Sequence, residues 1–461
     1  MTSSSSFSCD SSWHRYGDGT TLVAGSPLAV FSLSEAGRDV ARALELGATL
    51  PDFHQPLTTR LEAAGAIHHL AHPLSEPLDT LLTIVIPAYV RDERQREQLT
   101  QLVDVLSRCC SVIVVDDASP TPVRLASTRV IRHESNEGPA SARNTGLAHV
   151  DTPFVAFVDS DVTSCGDAFP LLVATCAREG VGLVAPRVAT TSEPSWIARY
   201  EERFSPLDLG TEPGRVAPGT RISYVPSAVW VARTDRVRSL GGFDQNLRVG
   251  EDVDFVWRLN RSGSSARYEP RATVRHEPRR SLRDFIRQRY LYGTSVAPLS
   301  SRHPEDLRPL KASWHSVAIW AFLFAGLPIV SLALVLYTFI GLARRLRHLD
   351  NGVREAFRLV LRGHWSALAS TARLFRREWV PVTLVGIAIG GRVGGVSLAV
   401  LVVPPIIDYI RGPKRLDPFR FVALRILDDA SYGIGAVASC IRARTLRPLI
   451  PDLRSWRANV Q

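Results

Sequence analysis

From Leu81 onward the chain alternates short, mostly apolar stretches with helical patterns, and no other feature limits its fold as strongly. Leu82–Pro87, Val112–Val115, Arg129–His133, Phe154–Val158 and Val181–Pro186 read as strands; helices run to about Cys109, from Gly138 and from Gly166. Strands apolar on both faces need cover on both faces, so this order implies a parallel, doubly wound α/β sheet. Ligands of such sheets bind beyond the carboxyl ends of the strands.

The strand ends carry the chemistry. The first runs into Pro87, Ala88 and Tyr89, the second into Asp116 and Asp117, and the fourth into Asp159 and Asp161 of FVDSDV. Carboxylates gathered on one edge repel a phosphate, and a divalent cation, Mg²⁺ or Mn²⁺, removes the conflict by bridging the two. Paired acids after a strand also serve as helix caps or Asx turns, a reading open for Asp116 and Asp117. Asp159 and Asp161 gain little structurally from their position. NEGPASARNTG (Asn136–Gly146) is either a capped helix with one exposed arginine, Arg143, or a binding loop. Glu251 and Asp252 open a helix whose apolar face is Val253, Val256, Trp257 and Leu259. The helix dipole favours acids there, and a carboxylate so placed can also take a proton from an attacking hydroxyl. His276, after Ala272–Val274, is a further metal ligand or a surface residue.

With 461 residues, 45% hydrophobic and 22% charged, the chain is neither disordered nor a disulfide scaffold. The formal charge of +10 does not point to nucleic acid, because acids slightly outnumber bases as far as Ser300. The whole excess lies in the last third, beside the most apolar segments, which suits anionic membrane lipids. The six cysteines form no CxxC pair and no metal spacing, so disulfides and zinc are not expected and a reducing compartment is. Met1–Ser12 lacks a basic and an apolar segment of the secretory type, which places the bulk of the chain in the cytoplasm.

On these residues the chain resembles the family-2-type inverting glycosyltransferases of the GT-A fold, over roughly Leu81–Val296. The resemblance implies donor-nucleotide contacts at Pro87, Ala88, Tyr89, Asp117, Arg143 and Asp159. It implies a divalent metal on Asp161 and Asp159 with His276, and catalysis by Asp252 with Glu251 beside it. Arg287-Gln288-Arg289-Tyr290 departs from the Gln-x-x-Arg-Trp motif of the processive synthases in this superfamily. LVAGSPLAVFSLSEAG (Leu22–Gly37), ARYEERFSPLDLG (Ala198–Gly210), SYVPSA (Ser223–Ala228), YGTSVAPLSSRHP (Tyr292–Pro304) and LDDASYGIGA (Leu427–Ala436) are similar to the glycosyltransferases of mycofactocin biosynthesis. That similarity implies glucose transfer from UDP-glucose onto pre-mycofactocin, a peptide-derived redox cofactor, as a β-1,4-linked chain. Alternatives are a glycosyltransferase acting on a cell-envelope lipid or polysaccharide, a nucleotidyltransferase, and a non-catalytic nucleotide-sugar-binding module.

The expected organisation has four parts. Residues 1–16 read as a disordered tail and 17–74 as a small winged-helix-like module: a hairpin (Thr20–Val23, Leu28–Leu33), helices Glu35–Leu46 and Gln55–Ala63, and a closing strand Ile67–Leu70. Residues 81–303 form the GT-A domain, and 304–461 a hydrophobic and basic, membrane-associated helical region. Ala312–Ala343 holds no Asp, Glu, Lys or Arg. It is long enough to span a bilayer once, but short of the roughly 40 residues that two crossings need. The arginine-rich segment after it belongs on the cytoplasmic side with the catalytic domain. A hairpin bending at Gly326-Leu327-Pro328 satisfies both constraints; the other reading is a crossing that returns through Val380–Ile407. The location expected is the cell membrane.

Overall fold

The computed structural model describes residues 7–16, 19–126, 128–191, 194–279, 281–347 and 351–454. They form two compact units, one of Met1–Trp13, Ala24–Leu28 and Asp39–Arg280, the other of His14–Val23, Ala29–Arg38 and Ser281–Gln461.

In the first unit the strand Leu82–Ala88 is central. Ser111–Asp116 and then Arg129–Arg132 add to it in parallel on one side, and Phe154–Val158 in parallel on the other. Val229–Arg233 follows, antiparallel to both Phe154–Val158 and Val181–Thr190. Ser265–His276 runs parallel to Val181–Thr190 and carries Val162–Ser164 and Gly214–Val216 as antiparallel partners. The sheet is therefore mixed, which corrects the all-parallel expectation. A parallel neighbour needs a crossover back to the opposite end of the sheet. The connection from Thr190 brings Ala228 back to the carboxyl edge, so Val229–Arg233 enters from that edge and points the other way. The insertion brings Ala228 beside Asp159, whose amide donates to the Ala228 carbonyl at 2.9 Å.

Helix Pro139–Leu147 lies against the central strand with no room to spare, because a Cβ on Gly146 would run into Val85. Its Arg143 is thereby buried beneath the acidic edge.

The N-terminal residues differ from expectation. Phe7–Cys9 is a strand paired with Ile67–His69, and His14–Tyr16 adds to a hairpin of Thr21–Ala24 and Ala29–Ser32, so residues 7–16 are not a tail. The remainder of the expected tail lies outside the described residues. Asp10 fixes this segment: its carboxylate accepts from the Ser12 amide at 2.9 Å and meets His68 Nε2 at 3.0 Å and Arg221 at 3.1 Å. The helices Glu35–Leu46 and Gln55–Ala63 form where their patterns predict. Ile67–His69 does not close on the hairpin, however, and the stretch 17–74 is shared between the two units. A winged-helix sheet is not formed, because the N-terminal strands supply the partners that such a module would take from within itself.

The C-terminal unit is helical. Trp314–Phe324 and Pro328–Arg345 make one hairpin through the anticipated turn at Gly326, and Val380–Ile389 and Gly391–Arg411 make another. Pro328–Arg345 and Gly391–Arg411 are long and apolar enough to cross a membrane by length and composition. The second contains Pro404 and Pro405 without ending, and has Arg392 in its first turn. Gly352–Arg376 lies between the hairpins in sequence, and Pro418–Arg442 packs on Leu282–Thr294. Buried ion pairs hold this last contact and its surroundings: Arg289 with Asp428 at 2.9 Å, and Arg376 with Asp429 at 2.9 Å.

Candidate active site

The parallel register sets Ala88 beside Asp116, and the Asp117 amide donates to the Ala88 carbonyl at 2.8 Å. Asp116 is fully buried and works as a brace. Its carboxylate accepts the Ser119 and Val123 amides at 2.9 and 3.0 Å and pairs with Arg132, holding a turn in which Ala118 sits at φ 60. Burial alone would raise its pKa, but these bonds outweigh it and hold the group below the usual range. The Asp117 carboxylate accepts the Glu137 and Gly138 amides at 2.9 and 2.8 Å and meets His133 Nδ1 at 2.9 Å, tying the strand end to the loop before helix Pro139–Leu147. Tyr89 is exposed on the edge, with the Arg91 guanidinium 5.2 Å from its ring centroid, while Ala88 is buried and Pro87 half-buried.

Arg143 connects motifs far apart in sequence. Its two terminal nitrogens donate to Asp159 Oδ1 at 2.7 Å and Glu251 Oε1 at 2.8 Å. It is buried, not an exposed arginine, and its guanidinium is directed at these two acids. Such a cation lets two carboxylates stand close together in a poorly hydrated place. Burial pushes the Asp159 carboxyl up, Arg143 opposes this, and the nearby Asp161 adds to it. Asn144, a residue the sequence reading passed over, locks the neighbouring loop by donating to the Phe243 carbonyl at 2.8 Å and accepting its amide at 2.9 Å. It could have been noticed as the polar residue beside Arg143 in the quoted motif.

Asp161 and His276 meet because Val162 pairs with His276 across the edge of the sheet. Oδ2 of Asp161 lies 3.0 Å from His276 Nε2 and 3.7 Å from Arg279, a cation not foreseen from the sequence. Burial would raise Asp161, but His276 and Arg279 outweigh it and lower its pKa; His276 is raised by the same partnership against its own burial. No cluster of three or more His, Cys, Asp or Glu side chains is arranged to hold a metal among the described residues. The oxygen donors nevertheless suit Mg²⁺ or Mn²⁺: a partly exposed carboxylate at Asp161 and a second at Asp159, with the His276 imidazole beside Asp161.

Glu251 and Asp252 begin the helix Glu251–Arg261. Glu251 faces Arg143; Asp252 is held by the Val253 amide at 2.8 Å and, more loosely, by the Ser227 amide at 3.4 Å. Ser227 belongs to SYVPSA, whose Ser223 carbonyl also accepts Trp257 Nε1 at 2.8 Å. Burial, with the Glu251 charge added, pushes Asp252 up to about 7. A carboxylate poised there can hold or release a proton near neutrality. The two acids that open this helix thus have different partners: Glu251 pairs with Arg143, and Asp252 accepts from backbone amides.

Residues 83–236 match the glycosyl transferase family 2 domain. The pre-mycofactocin glycosyltransferases of two Mycobacterium tuberculosis strains, CDC 1551 and H37Rv, are each 34% identical over 457 residues, covering 95% of this chain and 96% of theirs. A solved mannosyltransferase from Pyrobaculum calidifontis, in complex with GDP-Man and Mn²⁺, aligns over 81% of this chain and 90% of its own at 14% identity and a TM-score of 0.44. With that identity over 95% of its length, the chain belongs to the pre-mycofactocin glycosyltransferase family.

Proposed function

We propose that the chain is a membrane-associated inverting glycosyltransferase that moves glucose from UDP-glucose to pre-mycofactocin, building a β-1,4-linked chain with its catalytic unit on the cytoplasmic side. The observation that carries the chemistry is Asp252, set to titrate near 7 at the carboxyl edge of the sheet. The acceptor is supported by the kinship with the mycobacterial pre-mycofactocin enzymes.

In this reading the uridine nucleotide lies along Pro87, Ala88, Tyr89 and Asp117. Asp252 accepts the proton of the acceptor hydroxyl as that oxygen attacks the anomeric carbon from the face opposite the diphosphate. The bond to the diphosphate oxygen breaks in the same displacement, so an α-linked donor yields a β product. Arg143 pairs with Glu251 at 2.8 Å, and Asp252 is the acid of the two that takes the proton. Asp161, Asp159 and His276 would hold Mg²⁺ or Mn²⁺, which when bound supplies positive charge against the departing diphosphate. No serine, cysteine or lysine nucleophile takes part.

The test is mass spectrometry of products from the purified chain given pre-mycofactocin and a panel of nucleotide sugars. Hexose additions only with UDP-glucose support the proposal. Transfer to a lipid or polysaccharide but not to pre-mycofactocin would replace the acceptor, and no UDP release from any donor would leave a binding module.

A further inference from the structure

Three observations in the C-terminal unit concern how deep its first hairpin reaches. The level at which the two arms are joined is fixed by His364, whose ring nitrogens meet Ser316 Oγ at 2.9 Å and Thr338 Oγ1 at 3.0 Å while its carbonyl accepts Trp320 Nε1 at 2.8 Å. From Ser316 to the turn at Ala325 the shorter arm rises roughly 14 Å at about 1.5 Å per residue, close to half of a hydrocarbon core about 30 Å thick. Residues 321–330, AFLFAGLPIV, are all exposed, which is more contiguous apolar surface than a protein leaves to water.

The Trp and Tyr residues at the ends of the hairpin are one-sided, and one cation, Arg392, reaches the turn from the second hairpin. Trp314, His315 and Tyr337 cluster at the base, with ring centroids 3.9 Å apart for Trp314 and His315 and 5.5 Å for His315 and Tyr337. Trp and Tyr collect where hydrocarbon meets headgroups, and this hairpin has no such residue at its turn. Next to the base runs the helix Gly352–Arg376, on which Val353, Phe357, Leu361 and Trp365 are exposed at every fourth position. Arg354, Arg358 and Arg362 are exposed one position further round. An apolar stripe bordered by cations suits a helix lying in the surface of an anionic bilayer.

The backbone of the turn is hydrogen-bonded within the protein. Gly326 and Leu327 donate their amides to the Leu323 and Phe322 carbonyls at 3.1 and 2.9 Å, and the Ala325 carbonyl accepts Arg392 at 3.1 Å. Gly326, at φ 84, both makes the turn and leaves space for Arg392, into which a Cβ would run. Satisfying the backbone in this way is what a turn within hydrocarbon requires.

Taking the chain to be membrane-associated, as argued above, we propose that residues 316–338 form a pin that enters one leaflet of an anionic membrane and turns back inside it, with Gly352–Arg376 along the headgroups. The full-length chain carrying Leu327→Cys, added to preformed phosphatidylcholine–phosphatidylglycerol vesicles, tests this. Vesicle-bound protein should be unlabelled at Cys by an impermeant maleimide trapped in the lumen. The same reagent outside should label it no more than the wild type, whose partly exposed Cys9 and Cys109 set the background, and the new thiol should react once the protein is unfolded in detergent. Lumenal labelling would make the hairpin a crossing, and outside labelling above background would leave the turn in water; either overturns the pin. Failure to float with vesicles would instead remove the membrane reading beneath it. Changing Arg354, Arg358 and Arg362 to Gln should weaken binding to the mixed vesicles by roughly fivefold per residue and leave pure phosphatidylcholine unaffected. Unchanged binding would take the helix off the headgroups.

Discussion

Replacing Asp252 by Asn keeps the shape of the side chain and removes its ability to accept a proton. With its pKa at about 7, the wild-type carboxyl is about one-tenth ionised at pH 6 and about nine-tenths at pH 8. Turnover that needs the ionised form should therefore rise nearly tenfold across that interval. The Asn variant should lose turnover by roughly 10²-fold or more, show no such rise, and still bind UDP-glucose. Stability supplies an independent check. A folded-state pKa above the unfolded value of 3.8 means that the fold favours the protonated form. The resulting penalty is absent below about pH 4, grows through the interval up to 7, and is complete above it. The full shift corresponds to about 4 kcal/mol, and partial exposure of the carboxyl reduces the expected gain for Asp252→Asn to about 2 kcal/mol at pH 8. The assays are initial rates of UDP release and thermal melts, each at pH 4 to 8. A flat wild-type rate profile, or an Asn variant with near-normal turnover, would remove Asp252 from its role.

Asp161→Ala should weaken metal-dependent UDP binding measured by calorimetry; affinity indifferent to both the substitution and EDTA would refute the metal assignment. Arg143→Gln leaves Glu251 and Asp159 without their cation, and should cost about 2–4 kcal/mol of stability given that Asp159 is one-third exposed. Because the Arg143 charge also lowers Asp252, the rising limb of the rate profile should move to higher pH in any folded variant, and an unmoved limb would separate the two residues. On the N-terminal hairpin, Leu33 donates to the Thr20 carbonyl, so by strand alternation the amides of Val30 and Ser32 face outward on an edge strand. If a peptide-derived acceptor adds there as a strand, Ser32→Pro should raise its apparent KM without changing UDP-glucose affinity. Phe31 is buried and is left in place, and an unaltered KM in a variant of normal melting temperature would confine the hairpin to packing.

Much of the catalytic unit could be read from local pattern. Apolar runs such as Phe154–Val158 specify strands by their own composition, and the acids that follow must then lie at the edge where the strands end. Periodicity placed Glu35–Leu46 and Gln55–Ala63, and the Gly-Leu-Pro break placed the turn of the apolar hairpin. These are properties of neighbouring residues, so the sequence determined them alone. Pairing across long separations was decided only by the tertiary structure. Nothing local to Arg143 reveals that it will join Asp159 to Glu251, and nothing in Phe7–Cys9 reveals a partner at Ile67–His69. The reversal of Val229–Arg233 depended on where its preceding loop lay, not on the strand's own residues. The same holds for Asp252: its residue type and helical position were visible, but its proton affinity depends on the burial and neighbouring charge that the folded chain gathers around it.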